Sequence, residues 1–153
     1  MTPRSRTNQL FYHAQLMANM PVSDDEHAIA RKMALEESTL ALMELALDSL
    51  LKEVTEHARL ETHDWRFLLS DGGPDVAELQ RLRDLAKDAD SWLSWLLLQL
   101  DRLHSDEGAA RRPVSNPGMI ALGSESEFVD QLMRCLDSAK VEVAQLRETS
   151  QEW

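Results

Sequence analysis

The stretch Ser91–His104, SWLSWLLLQLDRLH, sets the strictest limit on what this chain can fold into. At 100° per residue, Trp92, Leu93, Leu96, Leu97, Leu100 and Leu103 fall on one arc of about 140°. Trp95 and Leu98 lie off that arc, on the side of Ser91 and Arg102. A helix apolar on more than one side is buried by several neighbours. The run is too short for a membrane span, which takes about 20 apolar residues, and Asp101 and Arg102 end it. It therefore predicts the central helix of a bundle. The surplus residues Trp95 and Leu98, with Arg102, form a candidate anchor for a protein partner, since Trp and Arg are typical hot-spot residues.

The rest of the apolar set agrees. Leu, Ala and Met dominate, and the β-branched residues that favour strands are scarce. The chain has 153 residues, enough for one core and one domain over 1–153. The fold expected is all-α, a helical bundle of about five helices with one long connection before the last.

Thr2–Met20 contains the first helix, with Thr7 or Ser5 as its cap and Pro21 at its end. Ser23-Asp24-Asp25-Glu26 reads as a capping box for a long helix running to about Leu60. Such a helix would have about 37 residues and span roughly 55 Å. A domain of this size has a radius of gyration near 15 Å, so a bend or break is expected near Arg59–Asp64. A short apolar segment, Trp65–Leu69, precedes Asp71-Gly72-Gly73. Pro74 suits the first turn of the next helix, and Asp88–Ser91 offers caps for the central one. Gly108–Gly123 is the long connection. Ser124–Glu127 is a second capping box, and Val129, Leu132, Leu136, Ala139, Val143 and Leu146 form a narrow seam after it.

A net charge of −11 leaves no basic face for phosphates, so neither nucleic acid nor an anionic membrane surface is an expected partner. The single cysteine, Cys135, permits no intrachain disulfide and no thiolate zinc site, which suits a reducing cytoplasm. Its place in the pattern predicts a surface or half-buried position. The N-terminal residues show no secretory signal pattern.

No catalytic set, metal site or cofactor motif is assigned. Asp101/His104 and Glu53/His57 have helical spacings that can hold a metal, yet also read as ordinary helix pairs. Arg6 and His13, separated by the six residues TNQLFY, resemble the ribonuclease motif of HEPN domains. Arg6 and Asn8 lie in a polar run that either starts the helix or bonds to the long loop or a ligand.

Arg6-Thr7-Asn8-Gln9 with Phe11-Tyr12 and Ala14, Ser91-Trp92-Leu93, Asn116 with Ile120-Ala121, and Glu152-Trp153 together resemble an uncharacterised family of short bacterial helical proteins. The resemblance implies a small helical fold and a bacterial cytosolic setting. It implies no catalytic role, and makes Arg6, Asn8, Trp92 and Trp153 the first positions to test.

Three functional readings follow. The first is a non-catalytic cytoplasmic protein acting through protein contacts, including contact with a second copy as a homo-oligomer. The second is a small-ligand pocket under the 108–123 loop, lined by Trp92, Met119 and Ile120, with Arg6 or Asn8 supplying polarity. The third is a metal-binding bundle or a HEPN-like ribonuclease.

Overall fold

The computed structural model describes residues 1–110 and 124–151, with side chains described over 1–110 and 128–149. Among the described residues there are six α-helices and no strand. They are α1 (Pro3–Ala18), α2 (Ala28–Val54), α3 (Trp65–Leu68), α4 (Ala77–Lys87), α5 (Trp92–Leu103) and α6 (Ser124–Gln151). Five are longer than two turns, and α3 is a single turn. The expected all-α bundle is what forms.

Helix α1 is capped by Thr2 rather than by Thr7 or Ser5. The Thr2 hydroxyl accepts from the Ser5 N–H at 3.1 Å, and Pro3 occupies the first turn, where its missing N–H costs nothing. Thr7 instead turns inward, fully buried, donating to the Pro3 carbonyl at 2.9 Å and meeting Ser49 Oγ at 2.8 Å.

The capping box at Ser23–Glu26 does not open α2. Asp25 organises the turn instead. Its carboxylate accepts from the His27 N–H at 2.8 Å and pairs with Arg31, and its carbonyl accepts from the Ala28 N–H. The helix therefore starts at Ala28 and runs 27 residues, about 40 Å. It also stops earlier than the pattern predicts. Thr55 folds its hydroxyl back onto the Leu51 carbonyl at 2.6 Å, a 3₁₀ turn covers Glu56–Ala58, and Arg59 adopts a left-handed φ of 48°. A break is present, a few residues ahead of Arg59–Asp64.

Pro74 does not start α4, which begins at Ala77. The Pro74 carbonyl accepts from the Val76 N–H and from Arg83, at 2.6 Å. Arg83 is buried, and its Nε and Nη2 also donate to the Leu68 carbonyl at 3.0 and 2.8 Å. Gly73 makes room for this, since a Cβ there would lie 2.5 Å from Arg83 Nη2 and 2.8 Å from the Leu68 carbonyl. Of the caps that Asp88–Ser91 offers, Ser91 is the one that caps α5. Its hydroxyl accepts from the Ser94 N–H at 3.0 Å and donates to the Leu85 carbonyl, tying α4 to α5.

Helices α1 and α2 form an antiparallel pair, with Pro3 beside Ser49 and Met17 beside Leu35. Helix α6 runs along both in the direction of α2. It begins near Leu35 and ends where Arg147 donates to Glu53 at 2.7 and 3.2 Å. Helix α5 lies antiparallel to α6, with Trp92 against Cys135 and Trp95 against Phe128. Arg81 of α4 reaches buried Glu142 of α6 at 2.9 Å. The seam of α6 is buried at Leu132, Leu136, Ala139, Val143 and Leu146. Cys135 is not at the surface: it is 4% exposed, because it faces α5, and its Sγ donates to the Trp92 carbonyl at 3.7 Å. Residues 111–123, which form most of the long connection, lie outside the described residues, as does Trp153.

Candidate functional site

The residues singled out on α5 separate into covered and open. Trp95 packs on Phe128 with ring centroids 6.0 Å apart, so α6 covers part of it and leaves it half-buried. Leu98 stays 49% exposed, and Arg102 is exposed beside it. Trp92 is half-buried in a groove between α5 and α6.

Arg6 and Asn8 are elsewhere. Arg6 is exposed and donates to Gln9 at 2.6 Å on the same helix. Asn8 lines a shallow groove of about 260 Å³ between α1 and α6, with Phe11, Tyr12, Lys140 and Arg147. Trp92 and Asn8 thus face different grooves of α6 and do not form one pocket. Met119, Ile120 and Asn116 lie outside the described residues.

The two helix pairs with metal-like spacing are both engaged with other helices. Asp101 pairs with Arg66 at 3.8 Å, and His104 Nε2 lies 2.8 Å from Glu44. Glu53 is held by Arg147, while His57 is exposed in the 3₁₀ turn. Among the described residues, no group of three or more His, Cys, Asp or Glu is placed to hold a metal. Among the same residues, no helix is long and apolar enough to cross a membrane.

The bonds of Glu44 join three elements in a way the sequence did not announce. Its carboxylate accepts from Trp65 Nε1 at 2.9 Å and from His104 Nε2 at 2.8 Å, linking α2, α3 and the end of α5. Asp48, one turn on, has its carboxyl pushed up to about 6, first by burial and then by the Glu44 charge, against the pull of the Trp65 backbone N–H. The signal for this cluster is long-range, which helical periodicity does not carry.

An apolar opening lies where α1 ends, α2 begins and α6 starts. Met17, Met20, Val22, Leu35 and Leu132 line a groove of about 320 Å³, with Glu36, Thr39 and Asp130 among its polar members. Met20 is 50% exposed, and Leu16, near the end of α1, and Ile29, near the start of α2, are equally open. Glu36 is 4% exposed, a carboxylate in the groove wall. The turn that carries Val22 continues into Asp24, Asp25 and Glu26, all exposed. Sequence reading passed over this site, although Met17 and Met20 just ahead of Pro21 were its visible trace.

Residues 1–153 match the model described as "Family of unknown function (DUF6586)". The resemblance to a family without assigned activity is thus borne out over the whole stretch. No curated protein and no solved structure matches the chain.

Proposed function

We propose that the chain, which belongs to the family of unknown function DUF6586, works by contact with a protein partner at the groove between α1, α2 and α6. The observation that carries this is the half-exposed Met20 over an apolar wall of Met17, Val22 and Leu35. Exposed methionines at a groove suit a partner surface, because the unbranched thioether repacks around varied shapes. The volume is at the lower end of the roughly 300–1,000 Å³ of small-molecule sites, so it fits one or two anchoring side chains. Seating a Leu- or Phe-sized side chain there is worth about 1.5–3 kcal/mol of apolar burial.

Charge selects the partner. The chain carries −11; Glu36 and Asp130 line this groove against one cation among the described residues, Lys32, and Asp24 and Glu26 are exposed on the turn beside it, so acidic groups outnumber basic ones there. Like charge opposes a second copy, and opposite charge speeds and orients a cationic partner. The partner is therefore a basic protein segment with apolar anchors. The single thiol of Cys135 supports a reducing, cytoplasmic setting for that contact.

Two motives for a homo-oligomer are weaker in the folded chain. Helix α2 is about ten residues shorter than the pattern predicted, and Trp95 is partly covered by α6. Light scattering separates the two partners. A mass of 17.4 kDa agrees with a basic partner, whereas twice that mass, abolished by Met20→Asp, puts a second copy in the groove. The direct test is the binding of an amphipathic Leu/Lys helix to the chain and to Met20→Asp.

A further inference from the structure

Between α2 and α4 the chain crosses a stretch with little burial. From residue 56 to residue 67 only Trp65 is buried, with Ala58, Leu60 and His63 half-covered. Both ends of the stretch are fixed. Thr55 is bonded to the Leu51 carbonyl, and the Leu68 carbonyl accepts from Arg83 at 3.0 and 2.8 Å. Bonds from a guanidinium to a carbonyl do not titrate at working pH. Trp65 is held differently. Its indole N–H donates to Glu44 at 2.9 Å, and its backbone N–H faces the carboxyl of Asp48, one turn along α2. Asp48 Oδ1 is buried without a hydrogen-bond partner among the described residues. A carboxyl oxygen so placed costs little when neutral and much when charged. The side chain that keeps this stretch down thus rests on two acids, one of them badly placed to ionise.

We propose that residues 56–67 form a pH-gated strap, held on α2 at Trp65 in acid and released there as pH rises and Asp48 takes its charge. Burial, and then the Glu44 charge, push the Asp48 carboxyl up to about 6, above the ordinary 3.8. Release returns Asp48 to water and carries Asp64 away from it, so the open strap does not share this rise. The closed strap therefore keeps a proton that the open one sheds. Its advantage is fully present below about pH 4 and is lost as pH rises through 6. The surrounding charges agree with that sign. Glu44 on the same helix and Asp64 on the strap repel a charged Asp48, and exposed Arg66, 4.3 Å over the Trp65 ring, opposes them only in part. From α5, His104 is bonded to Glu44, and Asp101 lies 3.8 Å from Arg66. Helix α1 meets this part of α2 through the neutral Thr7–Ser49 pair. Helix α4 meets the strap's end through Arg83, and α6 meets α2 more than a turn further on, through Arg147 and Glu53. The strap lies toward the other end of α2 from the Met20 groove, and either proposal can fail without the other.

The test is hydrogen exchange of the Trp65 indole N–H, read by NMR on the ¹⁵N-labelled full chain and corrected for the intrinsic pH dependence of exchange. The distance from 3.8 to about 6 allows at most about a hundred-fold change in the closed-to-open ratio, which solvent screening of this half-buried group reduces to about ten-fold. Protection should therefore fall about ten-fold from pH 5 to pH 8. It should not change in sub-denaturing urea, because local release exposes little surface, whereas protection of the Leu136 amide in α6 should fall with urea. Asp48→Asn, which has the shape of the protonated acid, should lose most of the pH dependence. Glu44→Gln keeps an acceptor for the indole and removes the charge, so it should reduce the pH dependence, and it serves if Asp48→Asn fails to fold. The proposal is overturned by protection that does not change with pH, or by a fall in either variant as large as in the parent chain. A urea dependence as steep as that of Leu136 overturns it as well, since the event is then unfolding of the whole chain.

Discussion

Trp95 and Phe128 pack with ring centroids 6.0 Å apart and planes inclined by 44°. The contact joins α5 to α6 and gives an indole that lies off the core arc a neighbour from its own chain. Leu98, the other residue off that arc, has no such cover and stays 49% exposed. The pair makes a sharp comparison. Trp95→Ala should cost about 2–3 kcal/mol, below the 3–5 of a fully buried aromatic because Trp95 is only half-buried. Leu98→Ser should stay within about 0.5 kcal/mol. Urea unfolding midpoints decide: equal losses would mean that Leu98 is covered too.

Arg83 fixes the path of the chain between α3 and α4 by donating to the Leu68 and Pro74 carbonyls. Removing it as Arg83→Met leaves those carbonyls short of a partner, at about 1–3 kcal/mol for each buried group. Gly73→Ala should lose stability as well, because its Cβ would press on Arg83 and the Leu68 carbonyl. The double variant should lose less than the sum of the two, since both changes break one arrangement. Strict additivity in thermal unfolding would contradict this.

Asp48 predicts a pH dependence with a definite sign. Its carboxyl titrates near 6 in the folded chain, above the ordinary 3.8, so folding favours the protonated form. The stability it contributes is fully present below about pH 4 and is lost as pH rises through 6. Two pH units correspond to about 3 kcal/mol, which solvent screening of this half-buried group reduces to about 1–2. Asp48→Asn should therefore match the parent near pH 4 and exceed it at pH 8 by about 2–8 °C in Tm. A variant advantage that does not grow with pH would rule the account out.

How much of this was legible follows from the range of each interaction. The Ser91 cap, the arc from Trp92 to Leu103 and the seam of α6 are local or periodic, and they form as the pattern predicts. Two of the three misplaced helix starts, those of α1 and α2, were decided by which nearby side chain organises the first turn. Asp25 outcompeted the Ser23 box, and Thr2 capped α1 while Thr7 turned to Ser49. Glu44 with His104, and Arg83 with Leu68, are pairs that no period brings together, so they were invisible. The separation of Asn8 from Trp92 was equally hidden, because it depends on which sides of α6 the helices α1 and α5 occupy. The Met20 groove forms where one helix ends and another begins, a place that a helical wheel does not describe.

The most direct test of partner binding is fluorescence anisotropy of a labelled amphipathic helix, leucines on one face and lysines on the other. It is titrated with the chain and with Met20→Asp. The substitution adds a negative charge while spoiling the apolar wall, so charge and groove pull in opposite directions. Seating of an apolar anchor predicts saturable binding that Met20→Asp weakens by about thirty-fold, the loss of a hot-spot contact. Equal or tighter binding to Met20→Asp, or none to the parent chain, would contradict it.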